Sequence, residues 1–289
     1  MHIEIDGGSG FCFGVVRAIA EAERALSECG GEVCCLGDIV HNRMEVQRLE
    51  RLGLRTVCRD DISSLSGCRL LIRAHGEPPS TYESARRAGV EILDATCPVV
   101  AQLQARVVAA HERMAAVNGQ VVLLGKRGHA EVVGLTGQVE RPTVVVENEN
   151  DLESLDFTRP IWFLSQTTQS VGLFGRLRDR MLERLSSPSM LTVEETICRR
   201  VSSRERSLRE FAERFDTVIF VCGRKSSNGK VLFEVCRSAN PKAFNIEEPS
   251  ELRAEWFAGA GSAGICGATS TPLWLMERVA AEIEKMTGA

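Results

Sequence analysis

The chain has 289 residues, of which 44% are hydrophobic and 26% are charged, a composition typical of a globular enzyme. Its 35 Lys and Arg against 39 Asp and Glu give a net charge of −4, which disfavours a general nucleic-acid-binding protein because such proteins carry a basic excess. No apolar run approaches the roughly 18 residues of a membrane helix, and the first six residues lack the layout of a secretory signal. We therefore expect a cytoplasmic protein with no nucleic-acid or membrane partner.

The 11 cysteines need an explanation, because disulfides are rare in a reducing compartment. The absence of any Cys-x-x-Cys spacing excludes zinc ribbons, thioredoxin-like pairs and the ferredoxin cysteine run. Eight cysteines are assigned to packing, since a free thiol fills apolar strands as a small hydrophobic residue. Cys12, Cys97 and Cys198 differ, because each follows a strand-like run and a small or polar turn and precedes a helical pattern.

These helical patterns, in chain order, are Val15–Cys29, Pro98–Asn118 and Ser202–Phe215. Pro98 favours the first turn of a helix. The positive end of a helix dipole favours a thiolate, which is the form that binds metals. Any one of the three cysteines fits a buried residue at a strand end equally well, but three in the same local context favour a metal site.

The chain also contains an internal repeat. Cys12 and Cys97 are 85 residues apart and Cys97 and Cys198 are 101 apart, which divides the chain into near-thirds. Two further polar turns recur 29 to 32 and 63 to 72 residues after each cysteine. Continuous apolar runs are typical of parallel strands buried on both faces, and the helical segments between them complete βαβ units. We predict an α/β fold of three pseudo-symmetric units, 1–97, 98–197 and 198–289, with the N-terminal strand (1–12) able to pack with the third unit.

Ligands of open α/β sheets bind beyond the carboxyl ends of the strands, where the cysteines and polar turns fall in this sequence. The simplest assembly places the three units around a pseudo-threefold axis, so that each contributes one cysteine and two polar turns to a central cavity. Three thiolates from distant segments fit an iron–sulfur cluster with one iron left open, and an open coordination position marks a reactive metal site.

The polar turns supply mostly neutral hydrogen-bond donors. The candidates are His41, His75, His129, Glu131, Thr167, Thr168, Ser226, Ser227, Asn228 and Ser270. Hydroxyl groups at helix starts bind phosphate groups and histidine adds charge-assisted bonds, which favours a shared anionic ligand, although Ser, Thr and Asn at such positions also serve as plain helix caps. Glu131 fits either a proton donor in a dry cavity or a solvated carboxylate in the first turn of a helix.

The segments that carry these residues resemble the 4-hydroxy-3-methylbut-2-enyl diphosphate reductase (IspH/LytB) family along nearly the whole chain. The matching segments are Gly10-Phe11-Cys12-Phe13-Gly14-Val15, Gly37-Asp38-Ile39-Val40-His41-Asn42, Arg73-Ala74-His75-Gly76, Asp94-Ala95-Thr96-Cys97-Pro98, Gly128-His129-Ala130-Glu131, Ser165-Gln166-Thr167-Thr168, Thr196-Ile197-Cys198, Ser226-Ser227-Asn228 and Ser270-Thr271-Pro272. They occur in family order.

The resemblance implies a trefoil of three α/β units around one 4Fe–4S cluster, with Cys12, Cys97 and Cys198 as ligands and one iron not ligated by protein. It implies a two-electron reductive dehydroxylation of an allylic diphosphate, the last step of the methylerythritol phosphate route, fed by an electron donor such as ferredoxin or flavodoxin. Glu131 would supply the proton and Thr167 would orient the substrate hydroxyl. The implied substrate-binding residues are His41, His75, His129, Thr167, Thr168, Ser226, Ser227, Asn228 and Ser270.

The chain departs from the family pattern at a few positions, and none of them removes a ligand-type residue. Arg199 and Arg200 follow Cys198, where many relatives carry other residues, and Ala130 stands where proline is common. Ala268-Thr269 replaces the usual Gly-Ala before Ser270. Charge near a cluster tunes its reduction potential. We therefore expect the two arginines to affect the reduction potential and the choice of electron donor rather than the reaction.

Three other classes of protein explain fewer of these sequence features. Residues 129–131 form the H-x-E of zinc deaminases, but the Pro-Cys-x-x-Cys that accompanies it is missing. Residues 8–14 form a glycine-rich turn that matches the dinucleotide-binding fingerprint only in part, because Phe13 stands at its third glycine. A non-catalytic iron–sulfur sensor would need the three cysteines but not Glu131 or the polar turns.

Overall fold

The computed structural model describes residues 1–29 and 33–288 of the chain. These residues form twelve strands and nine α-helices. The strands are β1 (His2–Ile5), β2 (Val33–Leu36), β3 (Leu54–Val57), β4 (Arg69–Ile72), β5 (Glu91–Asp94), β6 (Gln120–Leu124), β7 (Val144–Val146), β8 (Ile161–Ser165), β9 (Leu191–Val193), β10 (Thr217–Val221), β11 (Ala243–Ile246) and β12 (Ser262–Gly267). The helices are α1 (Phe13–Cys29), α2 (Arg43–Arg51), α3 (Pro79–Arg87), α4 (Pro98–Ala116), α5 (Ala130–Thr136), α6 (Val171–Arg184), α7 (Arg199–Ala212), α8 (Ser227–Ala239) and α9 (Leu273–Thr287).

The predicted helices are present with small shifts at their ends. The helix after Cys198 begins at Arg199 rather than Ser202 and ends at Ala212 rather than Phe215. The helix that follows Cys97 begins at Pro98, as the proline indicated. None of these helices, within the residues that the structure describes, is long and apolar enough to cross a bilayer.

The strands of the described residues form three four-stranded parallel sheets, which confirms the predicted α/β class. Their strand orders are β1-β12-β10-β11, β3-β2-β4-β5 and β7-β6-β8-β9. The central strands are mostly apolar, and every residue of β8 and of β10 is buried, as expected where helices cover both faces of a sheet. The sheets share one layout, because in each of them a cysteine follows one edge strand and polar turns follow the two central strands.

The chain divides into two compact units, of which the first comprises Met1–Val33, Asp38–Thr56 and Arg199–Ala289. Its sheet joins the N-terminal strand to the C-terminal third, with Ile5 opposite Ile265. Side chains of β10 alternate between two cores: Phe220 packs with residues of α7 and α8, whereas Ile219 packs with residues of α9. Both side chains are fully buried.

The second unit comprises Cys34–Gly37 and Val57–Cys198. Its last sheet is built on β6 and β8, which pair in parallel from Gln120 opposite Ile161 to Leu124 opposite Ser165. Buried leucines and valines of α4 and α5 pack on this sheet. Because Leu124 and Ser165 are partners at the carboxyl ends of the two strands, the loops that follow them start side by side.

Candidate functional site

The three candidate cysteines occupy equivalent positions in the three sheets. Cys12, Cys97 and Cys198 follow the edge strands β1, β5 and β9, and each immediately precedes a helix. Each thiol is partly exposed, and none of the three forms a disulfide. The backbone N–H of each donates to the turn after the neighbouring strand, and these bonds are Cys12 to the Thr269 carbonyl (3.1 Å), Cys97 to the Ala74 carbonyl (3.0 Å) and Cys198 to the Thr167 carbonyl (2.9 Å). Cys97 therefore follows the last strand of the sheet formed by β2, β3, β4 and β5. The loops after β2 and β4 of the same sheet carry His41 and His75.

In the first unit, the turns after β10 and β12 come together. The hydroxyls of Ser226 and Ser270 lie 3.2 Å apart, and the Asn228 amide donates to the Thr269 hydroxyl at 2.7 Å. Ser226 also caps α8, because its hydroxyl oxygen accepts from the Gly229 N–H at 3.0 Å. The structure thus brings together Ser226, Asn228 and Ser270, and the bond from Cys12 to Thr269 places the Cys12 backbone at the same turn.

Two side-chain polar atoms of this region are buried without a hydrogen-bond partner among the described residues. They are the Ser227 hydroxyl and the Asn228 amide oxygen. Buried polar groups are nearly always satisfied, so unsatisfied ones at a helix start indicate a place for a ligand or ordered water. A half-turn of the Asn228 side chain would present its NH₂ group to such a ligand instead.

His41 lies in the same unit, directly before α2. Its neighbour Asn42 caps that helix, because the Asn42 side-chain oxygen accepts from the Glu45 N–H at 3.1 Å. The 41–42 backbone touches the turn after β10 so closely that a side chain at Gly223 would collide with the His41 carbonyl oxygen. Gly223 therefore sets the distance between His41 and the Ser226 turn.

In the second unit, Glu131 and Thr167 form a paired contact. Glu131 is 2% exposed, which excludes the alternative of a solvated carboxylate at the helix start. The Thr167 N–H donates to Glu131 Oε1 at 2.7 Å, and the Thr167 hydroxyl donates to Oε2 at 2.8 Å. The register of β6 and β8 makes this pair possible, because it aligns the strand ends that precede both residues.

Burial changes the acidity of this carboxyl group. Desolvation raises the pKa of Glu131 from 4.5 to about 7, against the opposing effect of hydrogen bonds from Thr167 and Gln166. A carboxyl group with a pKa near 7 holds its proton at neutral pH often enough to act as a general acid. Glu131 is therefore fitted to deliver a proton inside a buried site.

His129 is held in a defined orientation at the start of α5. Its Nδ1 accepts from the Glu131 N–H at 3.2 Å and lies 3.0 Å from the Gln166 amide nitrogen. Since Nδ1 accepts, the neutral ring carries its proton on Nε2, which can donate to an anion. The same Gln166 amide donates to the Thr168 hydroxyl at 3.1 Å, so that Thr168 joins this group.

His75 completes the polar group of the second unit. Its ring meets the His129 ring edge to face, with the ring centroids 5.3 Å apart. The turn that carries it passes close to α5, where a Cβ at Gly134 would lie 3.1 Å from the Gly76 carbonyl oxygen. The second unit thus assembles His75, His129, Glu131, Thr167 and Thr168.

The loop that carries Cys12 is anchored by a buried ion pair that the sequence did not reveal. Arg204 of α7 donates to the Asp6 carboxylate, and both residues are less than a tenth exposed. Arg204 also donates to the Ser9 hydroxyl at 2.8 Å, and Ser9 donates to Asp6 at 2.7 Å. The Gly267 N–H donates to Ser9 at 2.8 Å, which ties the loop to the end of β12.

Sequence reasoning also missed Gln166, which contacts His129, Thr168 and the Lys126 N–H. Gln166 is fully buried. Its position directly before Thr167 and Thr168 was a usable sequence signal, whereas Asp6 and Arg204 are 198 positions apart and no local pattern pairs them.

The cysteines fit an iron–sulfur cluster by the chemistry of their donor set. None of the three forms a disulfide, all are only partly buried, and each precedes the N-terminus of a helix, which favours the thiolate. Fe–S clusters are held by cysteine thiolates, and three ligands leave one position of a four-iron cluster without a protein side chain.

The fold and the site define an α/β protein with three equivalent cysteines and a group of buried polar side chains at the carboxyl ends of its strands. Residues 3–284 match the model of a family described as LytB protein. The chain belongs to the LytB family, which confirms the resemblance seen in the sequence.

Two relatives of similar length have the same name. Proteins from Parabacteroides distasonis and Porphyromonas gingivalis are both named 4-hydroxy-3-methylbut-2-enyl diphosphate reductase, and each is 48% identical to this chain. The match to the first covers 100% of this chain and 99% of the relative. The match to the second covers 98% of this chain and 99% of the relative.

Two solved structures are also similar. A structure described as (E)-4-hydroxy-3-methyl-but-2-enyl diphosphate reductase, the terminal enzyme of the non-mevalonate pathway, has a TM-score of 0.71 at 33% identity and covers 99% of this chain and 100% of its own. A reductase structure from Plasmodium falciparum has a TM-score of 0.85 at 24% identity, covers 98% of this chain and 88% of its own, and supports the fold alone.

Proposed function

We propose that this chain reduces (E)-4-hydroxy-3-methylbut-2-enyl diphosphate to isopentenyl diphosphate and dimethylallyl diphosphate. The allylic C–O bond breaks, the hydroxyl takes up a proton and leaves as water, and two electrons and a second proton enter the carbon skeleton. The single observation that carries the proposal is the buried Glu131–Thr167 pair, a proton donor beside a hydroxyl in a chain whose full-length relatives bear this reductase name.

The chain's own residues account for delivery of the proton. A threonine hydroxyl both donates and accepts, so protonated Glu131 can donate through Oε2 to the Thr167 oxygen, which lies 2.8 Å away. The Thr167 hydroxyl proton is then available to the substrate hydroxyl, and the poor leaving group departs as water. Burial of Glu131 excludes bulk solvent from this transfer, so stray protons do not reach the reduced carbon at random.

We propose that the diphosphate is held by donors from the polar turns. Ser226, Ser227, Asn228 and Ser270 lie at or next to the N-termini of α8 and α9, where backbone N–H groups and the helix dipole attract anions. His41, His75 and His129 add ring N–H groups, and because Nδ1 of His129 accepts, its neutral ring carries the proton on Nε2. The buried, unsatisfied Ser227 hydroxyl supports this assignment.

We propose Cys12, Cys97 and Cys198 as the ligands of one 4Fe–4S cluster with one iron not ligated by protein. When bound, the cluster would supply one-electron transfers and a Lewis-acidic iron for the departing hydroxyl. The electrons would come from a carrier such as ferredoxin or flavodoxin. The cysteines whose side chains the structure describes form no disulfide, which fits a reducing compartment, and we propose the cytoplasm.

The test is anaerobic turnover of the allylic diphosphate by the reconstituted chain with a chemical reductant. We expect mass spectrometry to detect both five-carbon diphosphate products. Chemical analysis should find about four iron atoms and about four sulfides per chain. Absence of products from a chain that holds its full iron would contradict the proposed reaction and leave the sensor alternative. Absence of iron after reconstitution would contradict the cluster.

A further inference from the structure

We propose that Trp274 and Glu45 are positioning residues for diphosphate binding, because they join the starts of the two helices that follow His41 and Ser270. The inference rests on the proposed function, since it concerns the diphosphate turns of the first unit. The Trp274 indole N–H donates to Glu45 Oε2 at 2.8 Å. Trp274 is the second residue of α9, and Glu45 is the third residue of α2.

Glu45 is set to hold this bond firmly. It is 1% exposed, and Arg48 on the next turn of α2 donates to both of its oxygens, at 2.6 Å from Nη2 to Oε1 and 3.0 Å from Nε to Oε2. Arg48 in turn donates to Glu23 of α1 at 2.7 Å. A buried carboxylate whose charge is paired in this way is costly to move, because an uncompensated charge would remain.

The bond acts on the candidate diphosphate residues through short segments. His41 is two residues before α2, and the Glu45 N–H is itself bonded to the side chain of Asn42. Ser270 is three residues before α9, and its hydroxyl lies 3.2 Å from that of Ser226. The Glu45–Trp274 bond therefore fixes the 41–42 turn relative to the 269–272 turn, and the close contact at Gly223 fixes it relative to the turn after β10.

A buried side-chain donor of Asn42, next to His41, also supports the proposal. The Asn42 side-chain nitrogen has no hydrogen-bond partner among the described residues, although Asn42 is 1% exposed. A helix cap normally has its remaining polar atoms satisfied, so the free donor next to His41 indicates that this turn is shaped for a ligand. A preorganised set of donors binds an anion more tightly than the same donors on loose turns, because less freedom is lost on binding.

The test is Trp274→Phe, which removes the N–H donor and keeps an aromatic ring. Loss of one hydrogen bond to a charged acceptor should raise the Kd for inorganic diphosphate, measured by calorimetry on the full chain, roughly three- to tenfold. In the cluster-reconstituted chain, KM for the allylic substrate should rise by a similar factor while kcat changes little, because the proton donor lies elsewhere. Glu45→Gln keeps an acceptor oxygen for the indole and should have a smaller effect.

The matched control is Trp256→Phe, since Trp256 stacks on Phe244 and belongs to no diphosphate turn. It should leave both Kd and KM unchanged, and thermal midpoints would identify any variant that is simply misfolded. Unchanged diphosphate affinity in both Trp274→Phe and Glu45→Gln would overturn the positioning role alone. No diphosphate binding by the unsubstituted chain would overturn the proposed anion site as well.

Discussion

Thr167 donates two hydrogen bonds to Glu131, one to each carboxylate oxygen, at 2.7 and 2.8 Å. Both oxygens of a fully buried acid are thus oriented by one residue whose own hydroxyl can pass a proton on. These two bonds orient the carboxyl group before substrate arrives, which is the preorganisation that proton transfer requires. This relationship leads directly to three predictions about the acid, its partner and the pH dependence of the reaction.

Glu131→Gln should lower turnover strongly while the chain keeps its iron and its affinity for diphosphate. Glutamine has nearly the same shape and still accepts from Thr167, but it carries no transferable proton. General acids contribute typically 10²- to 10⁴-fold, so we expect kcat to fall by roughly that factor. Glu153→Gln, at an exposed ion pair with Arg184, is the control and should retain full activity. Unchanged turnover in Glu131→Gln would refute the role as proton donor.

Thr167→Val should lower kcat more than Thr167→Ser. Valine keeps the branched shape and the backbone N–H bond to Glu131 but removes the hydroxyl, whereas serine keeps a hydroxyl. A lost relay through one hydroxyl should cost roughly tenfold or more in kcat, and serine should recover most of it. Equal rates for the valine and serine variants would show that the hydroxyl takes no part in the transfer.

The rate should fall as pH rises through the pKa of Glu131, about 7. The acid must be protonated to act, and above its pKa the protonated fraction falls tenfold for each pH unit. The logarithm of kcat plotted against pH should therefore bend near pH 7 and decline with a slope of about −1. Because the Thr167 hydroxyl bond lowers this pKa, Thr167→Val should move the bend to higher pH. A shift to lower pH would contradict the assigned cause.

The parts of this site that are local in sequence could be predicted, and the parts that depend on packing could not. Pro98 and the serine at 226 mark helix starts, and the structure begins helices at Pro98 and Ser227. Each candidate residue follows a strand, as the polar turns indicated. The strand order was not readable from sequence, and it is this order, with Leu124 opposite Ser165, that puts Glu131 beside Thr167. The pairing of β6 with β8 also brings Gln166 into contact with His129 and Lys126.

Replacing any one of Cys12, Cys97 and Cys198 by serine should remove most of the iron from the anaerobically reconstituted chain. The three residues hold equivalent positions at strand ends, and a hydroxyl is a much poorer ligand for a soft iron–sulfur centre than a thiolate. Cys58→Ser is the control, since Cys58 is exposed and precedes a short 3-10 helix (Arg59–Ser64) rather than an α-helix. Iron and sulfide analysis distinguishes the outcomes, and full iron in any of the three variants would remove that cysteine from the ligand set.

Arg204→Met should destabilise the chain strongly, because it leaves the Asp6 carboxylate buried without its cation. Both side chains are less than a tenth exposed, and breaking a buried pair by removing one partner costs about 3–5 kcal/mol. Arg206→Met, two residues further along α7, is the matched control: its pair with Glu210 is exposed and should contribute less than about 1 kcal/mol. Urea unfolding of each variant, followed by circular dichroism, measures the difference.

The double variant Asp6→Asn with Arg204→Met separates the ion pair from simple loss of packing. Once the carboxylate is neutral, the buried charge that Arg204 compensates no longer exists, so the double variant should be more stable than Arg204→Met alone. Because the Ser9 hydroxyl bonds to both residues, the Cys12 loop loses an anchor in either case, and iron incorporation should fall with stability. Additive losses in the double variant would mean that Asp6 and Arg204 stabilise the fold independently.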